Sequence, residues 1–424
     1  MTILSLPLFA RAREKLCLPT KFRSRFRDPE PMVRKFLQAN RPSMPSDFLD
    51  SIPDLSPVLV RNKYNPTHFK DVVFENRPAS PGLFFRERGF RTQGDVLDSP
   101  RSMHLMHYTI HLLKRGLPVQ FLSQVCIASS TEDNSGRVKA RPIWVQDMTL
   151  SYIEKMFAQS ILDDIDFSKH VPRASTFHSQ WCKDFTYQLD ISSFDSSVPN
   201  WLIFIAFALI FSRFDAENYK HHGKVNKRYS LKHLQDVIVH NFVYTRFVTP
   251  TNKNVRRKSH GVPSGSAFTN IIDSIISKLV CNYVIGKQVE RLVIHTYGDD
   301  TMFNTCGSRV SHSLVSITYR SLGFEIRFEE ALPNGCRVYC KEWCIRGLPF
   351  HPGEWYSNII SCIKDKRYLG MLIYALLVTF SPTALQAKQL LEISTPMKQV
   401  VGPVPPWLSY LITVGASGSL ELKD

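Results

Sequence analysis

Leu292-Val-Ile-His-Thr-Tyr-Gly-Asp-Asp-Thr-Met-Phe303 is an apolar run, a Gly-Asp turn and a second apolar run. That order reads as a β-hairpin with Asp299 and Asp300 at its tip. Two adjacent carboxylates repel each other, so grouping them costs energy unless a cation compensates. Their hard oxygen atoms favour Mg²⁺, with Mn²⁺ as the alternative. Solvated Gly-Asp turns are common on protein surfaces, so the meaning of this one depends on what the rest of the chain supplies.

The neighbouring signal upstream is Gly261-Val-Pro-Ser-Gly-Ser-Ala-Phe-Thr-Asn270. Gly and Pro make a loop that opens a helix, and Gly265 gives the loop freedom that a larger residue would restrict. Phe268, Ile271, Ile272, Ile275, Ile276 and Leu279 repeat with helical spacing, which predicts an amphipathic helix. Its other face gathers Ser266, Thr269, Asn270, Asp273, Ser274 and Ser277, small polar groups able to hydrogen-bond a sugar without filling its space. Taken alone, the stretch is also an ordinary surface helix with a serine cap.

Further upstream, Phe185, Tyr187, Leu189 and Ile191 alternate with Thr186, Gln188 and Asp190, the period of a strand with one apolar face. Asp190 ends the polar face and Asp195 follows five residues later. The segment 201–211 is apolar all round and predicts a buried helix. A carboxylate at such a strand end is well placed to hold a metal ion. By itself the pattern is better explained by an Asx turn and a helix cap. A fourth stretch, Arg137-Val-Lys-Ala-Arg-Pro-Ile-Trp144, puts Arg137, Lys139 and Arg141 on one side of an extended segment. Such a row can neutralise a triphosphate, although a solvated basic edge strand would look the same.

The whole chain carries 53 Lys and Arg against 37 Asp and Glu, a net charge of +16 over 424 residues. That excess attracts polyanions, so nucleic acid is the first partner to consider. The nine cysteines include no CxxC pair, and Cys336, Cys340 and Cys344 lack the further ligands of a zinc site. They read as reduced thiols of an intracellular protein. The apolar runs 201–211 and 368–380 are too short to span a bilayer, so no transmembrane segment is expected. The first ten residues lack the basic start and cleavage site of a signal peptide.

Residues 1–41 form a basic arm with ten Lys and Arg against three acids, and prolines continue to about Pro100, which argues against long helices there. Residues 213–258 are a second basic block, with eleven cations against three acids, and separate two motif regions as an insertion would.

In order, Asp190-Ile-Ser-Ser-Phe-Asp195, the 261–270 stretch and Tyr297-Gly-Asp-Asp300 resemble the viral RNA-dependent RNA polymerases, most closely those of partitivirus-like double-stranded RNA viruses. Any one motif is weak and the ordered set is strong. The stretch ending Arg141-Pro-Ile-Trp144 is similar to the family's nucleotide-admitting motif. Ala79-Ser80-Pro81-Gly82-Leu83 looks like its template-guiding loop, and 338–349 like its primer grip.

The resemblance implies an α+β right-hand fold of fingers, palm and small helical thumb, the palm being an antiparallel sheet backed by helices. The implied division is 1–183 for arm and fingers, 184–212 and 259–348 for palm, 213–258 for a fingers insertion, and 349–424 for thumb and tail. Asp190 and Asp299 would ligate two catalytic metals, assisted by Asp300. Asp195, Ser264, Gly265, Thr269 and Asn270, with Arg137, Lys139 and Arg141, would bind the nucleotide. Ser80, Pro81 and Gly82 would guide the template. RNA, NTPs and a viral capsid protein are the implied partners, in the host cytoplasm and associated with the virion.

The resemblance also implies that Asp195 would accept from a ribose 2′-hydroxyl, where reverse transcriptases typically carry a bulky gate, and so would favour ribonucleotides. Two departures from the family matter. Its sugar-reading Asn commonly stands where this chain has Asp273, which leaves Asn270 and Asp273 as candidates. Its general-acid Lys has no counterpart in 323–330, which leaves Arg327 and Lys341. The rival readings are a reverse transcriptase-like DNA polymerase and a non-catalytic, particle-associated RNA-binding protein of the same fold.

Overall fold

The computed structural model describes residues 22–23, 27–38, 42–56, 58–61, 63–132, 138–165, 185–329, 336–340, 342–345 and 348–350. Among them, the proline-punctuated first hundred residues hold short helical turns and a two-residue strand, Phe22–Arg23. The first long helix, α1 (Pro100–Lys114), starts where the Ser102 N–H donates to the Ser99 side chain and Pro100 fills the first helical position. Strands β1 (Ser123–Glu132) and β2 (Val138–Val145) make an antiparallel hairpin with a bulge between Ile127 and Ser129. Asp147 then caps α2 (Met148–Leu162) by accepting from the Thr149 N–H.

The alternating stretch forms β3 (Thr186–Ile191), and α3 (Asn200–Phe211) follows a single helical turn. The basic block supplies α4 (Leu231–Val243), β4 (Arg246–Val248) and β5 (Arg256–Arg257). Then come α5 (Thr269–Ile285), β6 (Val293–Tyr297), β7 (Asp300–Asn304), α6 (His312–Ser321) and β8 (Ile326–Glu329). A small antiparallel sheet of β9 (Cys336–Tyr339), β10 (Glu342–Ile345) and β11 (Leu348–Phe350) ends the described chain.

The sheet that positions the site runs β8-β3-β7-β6 and is antiparallel throughout. Helices α5 and α6 pack against it. A second sheet joins β1 to β2, and β1 to β4 in parallel, with β5 at its edge. Predominantly antiparallel sheets with segregated helices make the class α+β. One continuous core runs from Phe48 to Phe324 and includes Leu189, Ile191, Ile275 and Phe303. A smaller cluster of Val33, Phe36, Val125, Trp144 and Phe247 fixes the N-terminal segment to the second sheet.

Two helices differ from their sequence-based expectation. Helix α3 buries Leu202, Ile203, Ala206, Phe207 and Ile210, but Phe204 is 42% exposed and Ala208 lies at the surface. Its inner side packs on α4 and α5, while on the outer side Phe204 has the Tyr244 ring beside it, 6.5 Å between centroids. Helix α5 is not amphipathic in place: Asp273, Ser274 and Ser277 are as buried as the isoleucines. Its polar side faces the β6–β7 hairpin, where those hydroxyls find partners. No helix among the described residues is long and apolar enough to cross a membrane.

Candidate active site

The β6–β7 hairpin pairs Asp300 with Tyr297, leaving Gly298 and Asp299 as a two-residue loop. Gly298 has φ +61°, which suits glycine at the first position of such a loop. Both main-chain groups of Gly298 are held by α5. Its N–H donates to Ser274 Oγ at 2.8 Å, and its carbonyl accepts from Ser277 Oγ at 2.8 Å. Thr296 Oγ1 donates to the Ser274 carbonyl at 2.9 Å. The tip therefore rests on a buried polar clamp, and Asp299 projects beyond it into solvent.

Strand β3 lies between β7 and β8, with Leu189 opposite Thr301 and Asp190 opposite Arg327. Continuing the first register by one residue sets Asp190 beside Asp300, where facing Cβ atoms of an antiparallel pair are about 5 Å apart. Arg327 Nη2 donates to Asp190 Oδ2 at 3.1 Å in a solvent-exposed ion pair. After β3, Ser193 turns the chain with φ +53°, and Phe194 stacks on Phe324. This turn brings Asp195 back toward the tip.

Asp195 joins the 261–270 loop at two points. Its carbonyl accepts from the Val262 N–H at 2.8 Å, and its carboxylate accepts from the Ser264 hydroxyl. Burial pushes the Asp195 carboxyl up and the charge of Asp299 adds to this, while the Ser264 hydroxyl and Arg141 oppose it. Asp273 sits deeper. Burial first, then the charges of Asp195 and Asp299, hold its carboxyl well above the ordinary range. Its Oδ1 has no hydrogen-bond partner. Asn270 is exposed, with its amide nitrogen near Gly298, and the Thr269 hydroxyl donates to the Pro263 carbonyl. The freedom expected of Gly265 is a requirement: at φ +126°, a Cβ there would lie 2.6 Å from the Trp144 carbonyl.

The basic strand reaches the same place. Lys139 and Arg141 share one exposed face of β2, and the Trp144 N–H donates to the Ser264 carbonyl at 2.8 Å. Arg137 and Lys341 lie outside the described residues, as does 351–424, the bulk of the expected thumb. At the β2–α2 junction, the Met148 N–H donates to the Pro81 carbonyl. Gly82, at φ +85°, approaches so closely that a Cβ would meet the Gln146 carbonyl. The Ser80 hydroxyl accepts from the Gly82 N–H at 3.4 Å.

Asp190, Asp299 and Asp300 offer only oxygen ligands, the chemistry a hard divalent ion takes. Asp190 already accepts a cationic group, the guanidinium of Arg327. Among the described residues no three such side chains stand close enough to hold an ion as they are. Register brings the strand end and the tip toward one another, and every donor they offer is a carboxylate oxygen. The residues fit a divalent ion.

The sequence pattern left Ser274 and Ser277 on a face able to bond a sugar, and in the structure both bond the tip at Gly298. Sequence reasoning passed over Lys258 and Glu154, because each lies away from the motif it serves. Lys258 is fully buried and donates to the Val243 and Gly261 carbonyls at 2.9 and 2.6 Å. Burial takes its amine well below the ordinary lysine range. Glu154, in α2, accepts from the Ala267 N–H at 2.9 Å. Neither stands out locally, since Lys258 ends the run Arg256-Arg257-Lys258 and Glu154 is followed by Lys155.

Residues 136–331 match the family described as viral RNA-dependent RNA polymerase. An RNA-directed RNA polymerase of Cryptosporidium parvum virus 1 (strain KSU-1) is 31% identical over 185 residues, which are 40% of this chain and 33% of that protein. A genome polyprotein of Ljunganvirus 1 is 30% identical over 102 residues, 23% of this chain and 4% of the polyprotein. The chain thus spans about a third or less of the length of these relatives. The solved Sicinivirus 3Dpol RNA-dependent RNA polymerase superposes with a TM-score of 0.68 at 12% identity, over 92% of this chain and 90% of that one. The fold is therefore the right-hand polymerase fold.

Proposed function

We propose, from the premise that residues 136–331 form a viral RNA-dependent RNA polymerase domain, that this chain synthesises RNA on an RNA template from NTPs. The observation that carries the reading is the register of the four-stranded sheet, which sets Asp190 at the strand end beside the Asp299–Asp300 tip. Polymerases of this family use divalent metal ions. Here Asp190, Asp299 and Asp300 would hold them, with Mg²⁺ the first choice and Mn²⁺ the alternative. Bound there, the ions supply Lewis-acid activation of the RNA 3′-hydroxyl and neutralise charge on the departing pyrophosphate.

The chain's own groups do the positioning. Asp195, held by Ser264, presents an acceptor to the ribose 2′-hydroxyl, and a substrate lacking that hydroxyl forgoes the bond. Gly265, Thr269 and Asn270 shape the sugar's side of the site. Lys139 and Arg141, with Arg137, neutralise the triphosphate. The loop Ser80–Pro81–Gly82, fixed to the β2–α2 junction, guides the template. The proposed division is fingers 1–183 and 213–258, palm 184–212 and 259–348, and thumb 349–424. A cytoplasmic, particle-associated role with a capsid protein as partner follows from the family resemblance and belongs to the same proposal.

The test is incorporation of labelled NTPs by the purified chain on single-stranded RNA with Mg²⁺ or Mn²⁺. Asp299→Asn is expected to lower synthesis by about 10³-fold or more, with RNA binding retained. Near-normal synthesis by that variant removes the metal role, and preference for dNTPs removes the RNA product.

A further inference from the structure

We propose that Glu154 is a positioning residue for nucleotide selection, its buried carboxylate setting the loop that holds Ser264 against Asp195. The inference rests on the polymerase reading and deepens it. Glu154 has no exposed surface. Its Oε2 accepts from the Ala267 N–H at 2.9 Å and its Oε1 from Gln146 Nε2 at 3.1 Å, and the Ser266 hydroxyl is a third partner. Ser266 Oγ in turn accepts from the Phe268 N–H at 3.1 Å. Gln146 is oriented toward Glu154 because its Oε1 accepts from the Ser151 hydroxyl.

Each partner belongs to a segment that ends at the site. Ser266 and Ala267 follow Ser264 and Gly265 directly. Gln146 lies two residues past Trp144, whose N–H bonds the Ser264 carbonyl, and its own carbonyl is what Gly82 packs against. One carboxylate thus ties the sugar-reading loop to the end of the cation strand and to the template loop. At the other end of the same loop, Lys258 holds the Gly261 carbonyl.

Burying a carboxylate among neutral donors is costly, and burial pushes Glu154 up to about 7 even though its bonds from Ala267, Ser266 and Gln146 pull it down. An apolar residue at this point of α2 would serve the core better. What it could not do is accept the Ala267 N–H, and an unpaired main-chain donor would free the loop. The geometry therefore assigns the carboxylate to holding Ser264 in reach of Asp195.

Two measurements on the purified full chain test this: amide exchange across 262–269, and kcat and KM for NTPs and 2′-dNTPs. For Glu154→Leu, exchange in that loop is expected to quicken about tenfold, and NTP-over-dNTP selection to fall about tenfold, mainly through NTP KM. Glu154→Gln keeps an acceptor for Ala267 but gives up the charge, and should change both by about threefold in the same directions, short of the leucine variant. Unchanged exchange in the leucine variant overturns the proposal even if the wild-type chain makes no RNA, an outcome that would strike the polymerase reading instead. Faster exchange with unchanged selection in an active chain overturns the functional half. If the leucine variant does not fold, the glutamine variant decides: about threefold changes in the same directions support the proposal, and identity with wild type in both overturns it.

Discussion

The β6–β7 hairpin carries its charges on a tip gripped from behind, whereas the β1–β2 hairpin carries Lys139 and Arg141 on an exposed strand beside a bulge. On the proposed reading, the difference follows from what each is asked to do. Holding ions against reacting oxygens demands placement within a few tenths of an ångström, which a buried, fully bonded turn supplies. Attracting a triphosphate needs charge within a Debye length and tolerates long, mobile side chains. Rigid scaffold therefore sits under the acids and solvent under the bases.

If that contrast is right, damage on the two sides shows up in different constants. Removing the clamp with Ser274→Ala and Ser277→Ala leaves both main-chain groups of Gly298 unpaired inside the protein. A fall in kcat of about 10²-fold is expected, with NTP KM within about threefold of wild type. A double variant that instead raises KM and spares kcat would erase the distinction.

Glu154 joins the two sides, and its ionisation gives a second handle. Burial holds its carboxyl at about 7 against an ordinary value of 4.5, so the fold binds this proton more tightly than the unfolded chain does. The penalty is absent below the unfolded value and grows as pH rises through the folded one. Between pH 5 and pH 8 the wild type should lose stability on the order of 2 kcal/mol relative to Glu154→Gln. Parallel denaturation curves for the two proteins across that range would show that the carboxylate is not held as described.

On the basic side, Arg141→Ala is expected to raise NTP KM about tenfold and to flatten its dependence on salt, with kcat nearly unchanged. Equal effects on kcat would mean that the strand also places the reacting atoms.

How far the sequence disclosed this contrast depends on the range of the interactions. Alternation located β3, and the Gly-Asp pair located the tip, because both are local patterns a few residues long. Lys139 and Arg141 were legible for the same reason. The clamp was not, since Ser274 and Gly298 are 24 residues apart and their pairing depends on how α5 lies on the sheet. For the same reason the polar side of α5 read as sugar-facing. Helical periodicity shows that a face is polar and leaves open whether it meets ligand or protein. Glu154 was hidden more completely, because its partner Ala267 is 113 residues away. The apolar ring of α3 overstated burial, since composition does not count how many neighbours a helix has.

The smallest expected effect concerns Arg327, the cationic group paired with Asp190 on the acidic side. The pair is largely open to water, 71% exposed at the arginine and 49% at the aspartate, so it contributes little to stability. Its bond to Asp190 Oδ2 nevertheless uses an oxygen that an ion would need. Guanidinium and divalent ion then compete for one carboxylate, and removing the weaker competitor favours the other. Arg327→Ala should leave the melting temperature within about 2 °C of wild type. It should also lower the Mg²⁺ concentration for half-maximal synthesis by about two- to threefold. A higher Mg²⁺ requirement would mean that Arg327 supports the metal-loaded state, and the acidic side would then depend on a cation from its own sheet.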